Sequence, residues 1–202
     1  MKLSKLARAL LGAKAGQIAI IILAIPLIYL FGFRNMRFFL VPSSSMEPTL
    51  LRGDYIVTLD AKAYDPGDVI VLRDPEDTSG YIVKRVVATG GDSVAVDGGA
   101  LYVNGVYISE PYLMEQPNYA FDPIEVPQGT VFLLGDNRNN SEDSHLWQQK
   151  AQPLDHIIGK VRLIYFPYKR AGGVLSYRFP DDRSAEEQLA SQRDPASGGP
   201  VP

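Results

Sequence analysis

Two patterns of apolar positions divide the chain. Residues 15–33, AGQIAIIILAIPLIYLFGF, run without a charge, and about 20 apolar residues are what an α-helix needs to cross the hydrocarbon of a bilayer. The run predicts one transmembrane helix, with Pro26 absorbed as a kink because lipid penalises an unsatisfied backbone too heavily for the helix to stop there. Beyond it, apolar residues come in short β-branched and aromatic runs between turn signals: FFLV (38–41), YIVTL (55–59), DVIVLR (68–73), YIVKRVVA (81–88), VFLL (131–134) and VRLIYF (161–166). These predict strands. LYVNGVYI alternates on either side of Asn104-Gly105, a dipeptide suited to the type I′ turn of a hairpin, and Asp97-Gly98-Gly99 predicts another turn just before it. No stretch of helical period separates the strands and no internal repeat is present, so an antiparallel sheet is expected rather than a parallel βαβ arrangement. The expected fold class is mainly β: a single N-terminal transmembrane helix followed by a compact antiparallel β-sheet or barrel-like domain.

Charge orients this plan. Lys2, Lys5, Arg8 and Lys14 precede the apolar run, and Arg34 and Arg37 follow it, a bias that points the N-terminus to the cytoplasm. A cleavable signal peptide also begins with basic residues and an apolar run, but it exits through small residues, whereas this run exits through the bulky, charged stretch 29–37. The organisation expected is 1–14 cytoplasmic, 15–33 transmembrane, 34–180 an extracytoplasmic β-rich domain, and 181–202 a disordered tail. That tail is rich in charge, Ser, Gly and Pro and has too few apolar residues to offset its ordering entropy.

Composition narrows the chemistry. With 202 residues and 46% hydrophobic content, the chain holds one cored domain besides the anchor. A net charge of -3 gives no general field for nucleic acid. The absence of cysteine excludes disulfides, thiolate metal sites and thiol catalysis, and two histidines, His145 and His156, cannot build a His-rich metal site.

Three segments could carry chemistry. The first is Pro42-Ser43-Ser44-Ser45-Met46-Glu47-Pro48-Thr49-Leu50, directly after FFLV. Pro and Ser alone would read as a polar hinge, but Met46 and Leu50 suggest a loop packed on the domain, which would hold a hydroxyl still as a nucleophile requires. The second is Lys84-Arg85 within YIVKRVV (81–87). Alternation puts Ile82, Lys84 and Val86 on one strand face and Val83, Arg85 and Val87 on the other. A lysine there could simply snorkel at a sheet edge; alternatively, desolvation leaves a neutral amine able to take a serine proton, which an arginine cannot do. The third is GDNRNNSEDS (135–144), whose Gly, Asn and Asp favour a structured loop. It lacks the glutamate at the twelfth position of a calcium loop, and its Asn139-Asn140-Ser141 is only a formal glycosylation sequon.

Together, in this order behind one apolar helix, these segments resemble the type I signal peptidases, serine proteases that remove signal peptides. The resemblance covers roughly residues 15–170 and includes RGDYIVT (52–58), PGDVIVLRDP (66–75) and YIVKRVVATGGD (81–92). It implies Ser45 as nucleophile and Lys84 as general base, with Ser43 joining the Ser45 backbone N–H in the oxyanion hole. Ser141 would orient the lysine, Asp143 would buttress that loop, and Asp136 and Arg138 would play structural roles. Val41, Pro42, Met46, Leu50, Ile82 and Val83 would line shallow pockets for the small side chains of an A-x-A-like site. No metal or cofactor is implied. The implied partners are signal peptides of exported preproteins, the lipid bilayer and the vicinity of the secretion translocon, with no nucleic acid, and the implied location is the plasma (inner) membrane.

Two positions depart from the family pattern: His145 stands where an arginine is common and Asn139 where an aspartate is frequent. His145 also raises a rival, a Ser45–His145–Asp143 triad. Two other functions fit the same features, a dedicated maturation peptidase for one exported substrate of pilus or conjugation type, and a non-catalytic anchored binding domain. The segment from Phe33 to Ser45 spans at most about 40 Å when extended, so the centre is expected near the bilayer surface.

Overall fold

The computed structural model describes residues 20–26, 29, 35–77 and 80–179. Residues 20–26 are helical, with Ile20, Ile21, Ile22, Leu23 and Ile25 exposed; no helix among the described residues is long and apolar enough to cross a membrane. The rest of the expected span 15–33, the 1–14 segment and the tail 181–202 lie outside the described residues. Met1–Met36 and Arg37–Pro202 form separate compact units, and the second carries the candidate site.

The described residues form twelve strands: β1 (Met36–Leu40), β2 (Tyr55–Leu59), β3 (Val69–Arg73), β4 (Tyr81–Thr89), β5 (Ser93–Asp97), β6 (Ala100–Val103), β7 (Val106–Ile108), β8 (Phe121–Glu125), β9 (Thr130–Leu134), β10 (Gln152–Pro153), β11 (Ile157–Phe166) and β12 (Gly172–Gly173). The larger sheet has the order β1-β2-β11-β3-β4-β9-β10, with β12 against β11, and the smaller has β7-β6-β5-β8. Every pairing whose register is defined is antiparallel, so the mainly β, antiparallel expectation holds. Register shifts in β11 against β2 and β3, and in β4 against β9, are bulges, which bend and twist a sheet.

The predicted hairpin forms at Asn104 (φ 53°) and Gly105 (φ 77°), both in the left-handed conformation that a type I′ turn demands. Four strands escaped the hydrophobic pattern, β10 and β12 because each is only two residues long. β5 buries only Val94 and Val96, too short an alternation to stand out, and β8 contains Pro123, which is tolerated because β8 closes the edge of its sheet. β11 begins at Ile157 rather than Val161, since Ile157 and Gly159 pair with β3 and Lys160 pairs with both β2 and β3.

Three apolar clusters hold the domain. One, with Val87, Val94, Leu101, Phe132 and Leu134, joins the two sheets. A second, with Val41, Met46, Leu50, Ile56, Val71 and Val83, lies under the serine-rich loop. A third gathers Ile70, Leu72, Val86, Leu133 and Trp147, with Ile82 against it. Burying each such side chain contributes about 1.5–3 kcal/mol.

Candidate active site

The serine segment leaves β1 through a pinned base, Val41 N–H donating to Asp54 O at 2.8 Å and Gly53 N–H to Val41 O at 2.9 Å. Glu47 N–H donates to Ser44 O at 3.1 Å and Leu50 N–H to Met46 O at 2.9 Å, closing a tight turn. Met46 and Leu50 are 1% and 0% exposed. The segment is therefore a packed loop rather than a solvated hinge, because those two side chains sit in the core beneath it.

Lys84 lies on β4, an interior strand between β3 and β9, opposite Ile70, and is 3% exposed. That position removes the snorkelling edge lysine from consideration. Its amine donates to Ser141 Oγ and lies 2.5 Å from Asp143 Oδ1. The Ser141 hydroxyl donates to the same oxygen at 2.5 Å, and Gly135 N–H donates to Asp143 Oδ2 at 2.8 Å. Asp143 thus ties the amine, the hydroxyl and the end of β9 together.

Alternation sends Arg85 to the opposite face, where it is fully buried. Its Nε and Nη2 donate to the two Asp136 oxygens at 2.8 and 2.7 Å, a bidentate fork. Burial alone would push the guanidinium toward its neutral form, but the bond and charge of Asp136 reverse this and hold its pKa above the usual arginine value. Asp136 Oδ2 also accepts the Thr49 hydroxyl at 2.5 Å. Arg138 is forked onto Glu110, which takes the Tyr112 hydroxyl at 2.5 Å. Burial and the Glu110 charge raise the Tyr112 phenol.

The turn 135–140 also grips the serine loop. Asn137 N–H donates to Ser45 O at 3.0 Å, Asn137 Nδ2 to Ser44 O at 3.1 Å, and Asn140 Nδ2 to Ser44 Oγ at 3.0 Å. A side chain on Gly135 would collide with both Ser45 O and Ser141 Oγ, so glycine is what allows these groups to converge.

Ser43, Ser45, Lys84 and Ser141 all line one cleft of about 550 Å³, with Ile82 and Trp147 as its apolar side chains and Asp74, Glu76 and Glu142 among the rest. Ser43 Oγ and Ser45 Oγ are 3.2 Å apart. Val41, Met46, Leu50 and Val83 lie in the core behind the cleft and Pro42 is exposed, so of the expected pocket residues Ile82 is the one that reaches the cleft lining. Among the described residues no group of three His, Asp or Glu side chains could hold a metal ion.

The two departures find physical partners. Asn139 Oδ1 accepts Asn118 N–H at 2.8 Å while its Nδ2 donates to Gln116 O at 3.1 Å and Glu115 Oε2 at 3.3 Å, a combination no carboxylate could make. His145 stacks on Tyr119, centroids 4.2 Å apart at 9°, and faces Phe121 at 5.7 Å. With Asp143 engaged by Lys84, Ser141 and Gly135, the His145 triad is not assembled. Sequence reading had no signal for Asn137, Glu110 or Thr49, whose partners come from distant segments, or for Trp147, an isolated aromatic in a polar stretch.

Residues 14–166 match the family described as signal peptidase, peptidase S26. Over 165 residues the chain is 38% identical to the probable signal peptidase I-1 of Synechocystis sp., covering 74% of this chain and 83% of that one. It is 36% identical over 143 residues to signal peptidase I of Leptolyngbya laminosa, covering 65% and 70%. A solved signal peptidase I from Enterococcus faecalis V583 is similar at a TM-score of 0.45 and 27% identity, over 50% of this chain and 98% of that one. The family match over residues 14–166 and the 38% identity to the Synechocystis relative lead to one conclusion: the chain belongs to the signal peptidase family, peptidase S26, and is a peptidase.

Proposed function

We propose that this peptidase removes signal peptides from exported preproteins with Ser45 as nucleophile and Lys84 as general base, anchored by the apolar run 15–33 with its catalytic domain outside the cytoplasm. The observation that carries the reading is the Lys84 amine, buried on an interior strand, bonded to Ser141 and lining the same cleft as Ser45. Ser45 attacks the scissile carbonyl and Lys84 takes its proton. Asp143 stands where the resulting ammonium is stabilised, and Lys84 then delivers the proton to the leaving amine. The Ser43 hydroxyl and the Ser45 N–H hold the oxyanion, and water releases the acyl-enzyme.

Membrane apposition has support in the β-domain itself. Phe38, Tyr55, Tyr165, Phe166 and Tyr168 are exposed and touch edge to face in a continuous group with centroids 5.6 to 5.9 Å apart, the kind of aromatic surface that settles at a bilayer interface. On this reading the site works at the membrane face, near the translocon from which signal peptides emerge.

The purified full chain in detergent is incubated with a preprotein bearing an A-x-A site. Cleavage after that site, lost in both Ser45→Ala and Lys84→Ala, is the expected result. Retained activity in Lys84→Ala with loss in His145→Ala would overturn the assignment, cleavage of one exported substrate alone would favour a dedicated maturation peptidase, and no cleavage at all a binding domain.

A further inference from the structure

The chain does not end its contribution at β11. Past a turn at 168–170 it adds β12 to the edge of β11, then runs back as an extended segment, 174–179. Val174 N–H donates to Arg162 O at 2.9 Å and Tyr177 N–H to Gly67 O at 3.3 Å. Gly67 is in the left-handed conformation, φ +96°, and any side chain there would strike the Tyr177 carbonyl, so the strap lies directly on the backbone that opens β3.

Beneath it is the guanidinium of Arg85. Its Nη1 donates to Gly67 O at 2.6 Å and to Leu175 O at 3.5 Å. Its Cζ lies 4.0 Å from the Tyr112 ring centroid and 5.4 Å from that of Tyr177, with the two rings 5.0 Å apart. One cation is thus held by two aromatic faces and a strap carbonyl on one side and by the Asp136 fork on the other. Cation–π attraction strengthens when the cation is desolvated, and Arg85 is fully buried.

What Arg85 holds reaches both reacting groups. Lys84 precedes it on β4. Asp136 accepts the Thr49 hydroxyl of the serine loop, and the next residue, Asn137, fixes Ser45 O. We propose that Tyr177 is a positioning residue for the Ser45–Lys84 pair, its ring closing the wall that fixes Arg85 and, through Arg85 and Asp136, the distance between nucleophile and base. The proposal rests on the Ser45–Lys84 reading above. Tyr177 touches neither reacting group, so its effect falls on the chemical step rather than on substrate binding.

The test compares full-length wild type, Tyr177→Ala, Tyr177→Phe, a chain ending after residue 174 and one ending after residue 180, all assayed on the same preprotein in detergent. In Tyr177→Ala and the chain ending at 174, kcat is expected to fall about ten-fold or more with KM within about two-fold, while the unfolding midpoint of Tyr177→Ala moves by less than about 4 °C. Tyr177→Phe, which keeps the ring, recovers kcat to within about three-fold of wild type, and the chain ending at 180 keeps the wild-type rate. A wild-type chain without Ser45-dependent cleavage overturns the reading beneath the proposal and the proposal with it. With wild type active, an unchanged kcat in Tyr177→Ala, a Phe variant as impaired as the Ala variant, or a loss carried by KM alone overturns the proposal while leaving the Ser/Lys assignment intact.

Discussion

Asp143 holds the Lys84 amine 2.5 Å from one carboxylate oxygen and the Gly135 N–H 2.8 Å from the other. The carboxylate is fully buried and Lys84 nearly so. The group that would take the serine proton is therefore anchored to the strand end that carries the loop gripping the serine, and neither can shift without the other.

Asp143→Asn should affect stability and rate together. The Asp143 oxygens accept from the Lys84 amine, the Ser141 hydroxyl and the Gly135 N–H; the amide NH2 of asparagine replaces one acceptor with a donor and leaves a buried polar group unpaired, at a cost of about 1–3 kcal/mol. A urea titration should register a loss of about 1–3 kcal/mol, and kcat on a preprotein should drop at least about ten-fold. A variant of wild-type stability would mean that the Asp143 oxygens are not needed as acceptors for the Lys84 amine, Ser141 and Gly135.

Gly135→Ala should inactivate without unfolding. The added methyl group meets Ser141 at both Oγ and Cβ and, on the other side, Ser45 O, a backbone atom of a loop fixed at both ends. The displacement falls on the nucleophile's loop and on Ser141, which bonds the Lys84 amine, and about 1 Å there can cost about 100-fold in rate. Circular dichroism should match wild type while preprotein cleavage falls by about that factor; comparable activity would show that the loop yields easily.

The β architecture and the packed serine loop were legible because their evidence is local: alternation shows in a few residues, and Met46 and Leu50 sit beside the serines they anchor. Lys84 was only half legible. Its strand could be read from YIVKRVV, but whether that strand was an edge or interior one depended on β9, supplied from far along the chain. The wall around Arg85 was not legible at all, since Tyr112 and Tyr177 stand in segments without periodicity and meet only through the strap over Gly67. β8 was hidden by Pro123, whose missing N–H matters only when both sides of a strand are paired.

Arg85→Lys should separate charge from geometry. Lysine keeps the positive charge but has no planar fork for Asp136 and no guanidinium plane to lie against Tyr112 and Tyr177. Hydrogen bonds to charged groups contribute about 1.5–3 kcal/mol each, so chemical denaturation should show a loss of about 2 kcal/mol or more. A lysine variant as stable as wild type would reduce Arg85 to a point charge.

His145 should make the fold sensitive to mild acid. Burial against Tyr119 and Phe121 lowers its pKa below the ordinary imidazole value, although the Asp143 charge works in the opposite direction. Its Nδ1 is buried without a hydrogen-bond partner. In the unfolded chain the ring titrates near about 6.5, so between that pH and the lower folded value the unfolded state binds the extra proton. Stability contributed by the neutral stacked ring is then fully present above the unfolded value and is lost as pH falls toward the folded one, at no more than about 1.4 kcal/mol per pH unit for a single group. His145→Phe keeps a ring for the stack and removes the titration. Thermal unfolding from pH 7.5 to 5 should show wild type losing more stability than the Phe variant, with the difference opening below about pH 6.5. Parallel curves for the two proteins would mean that the imidazole takes up its proton without leaving the stack.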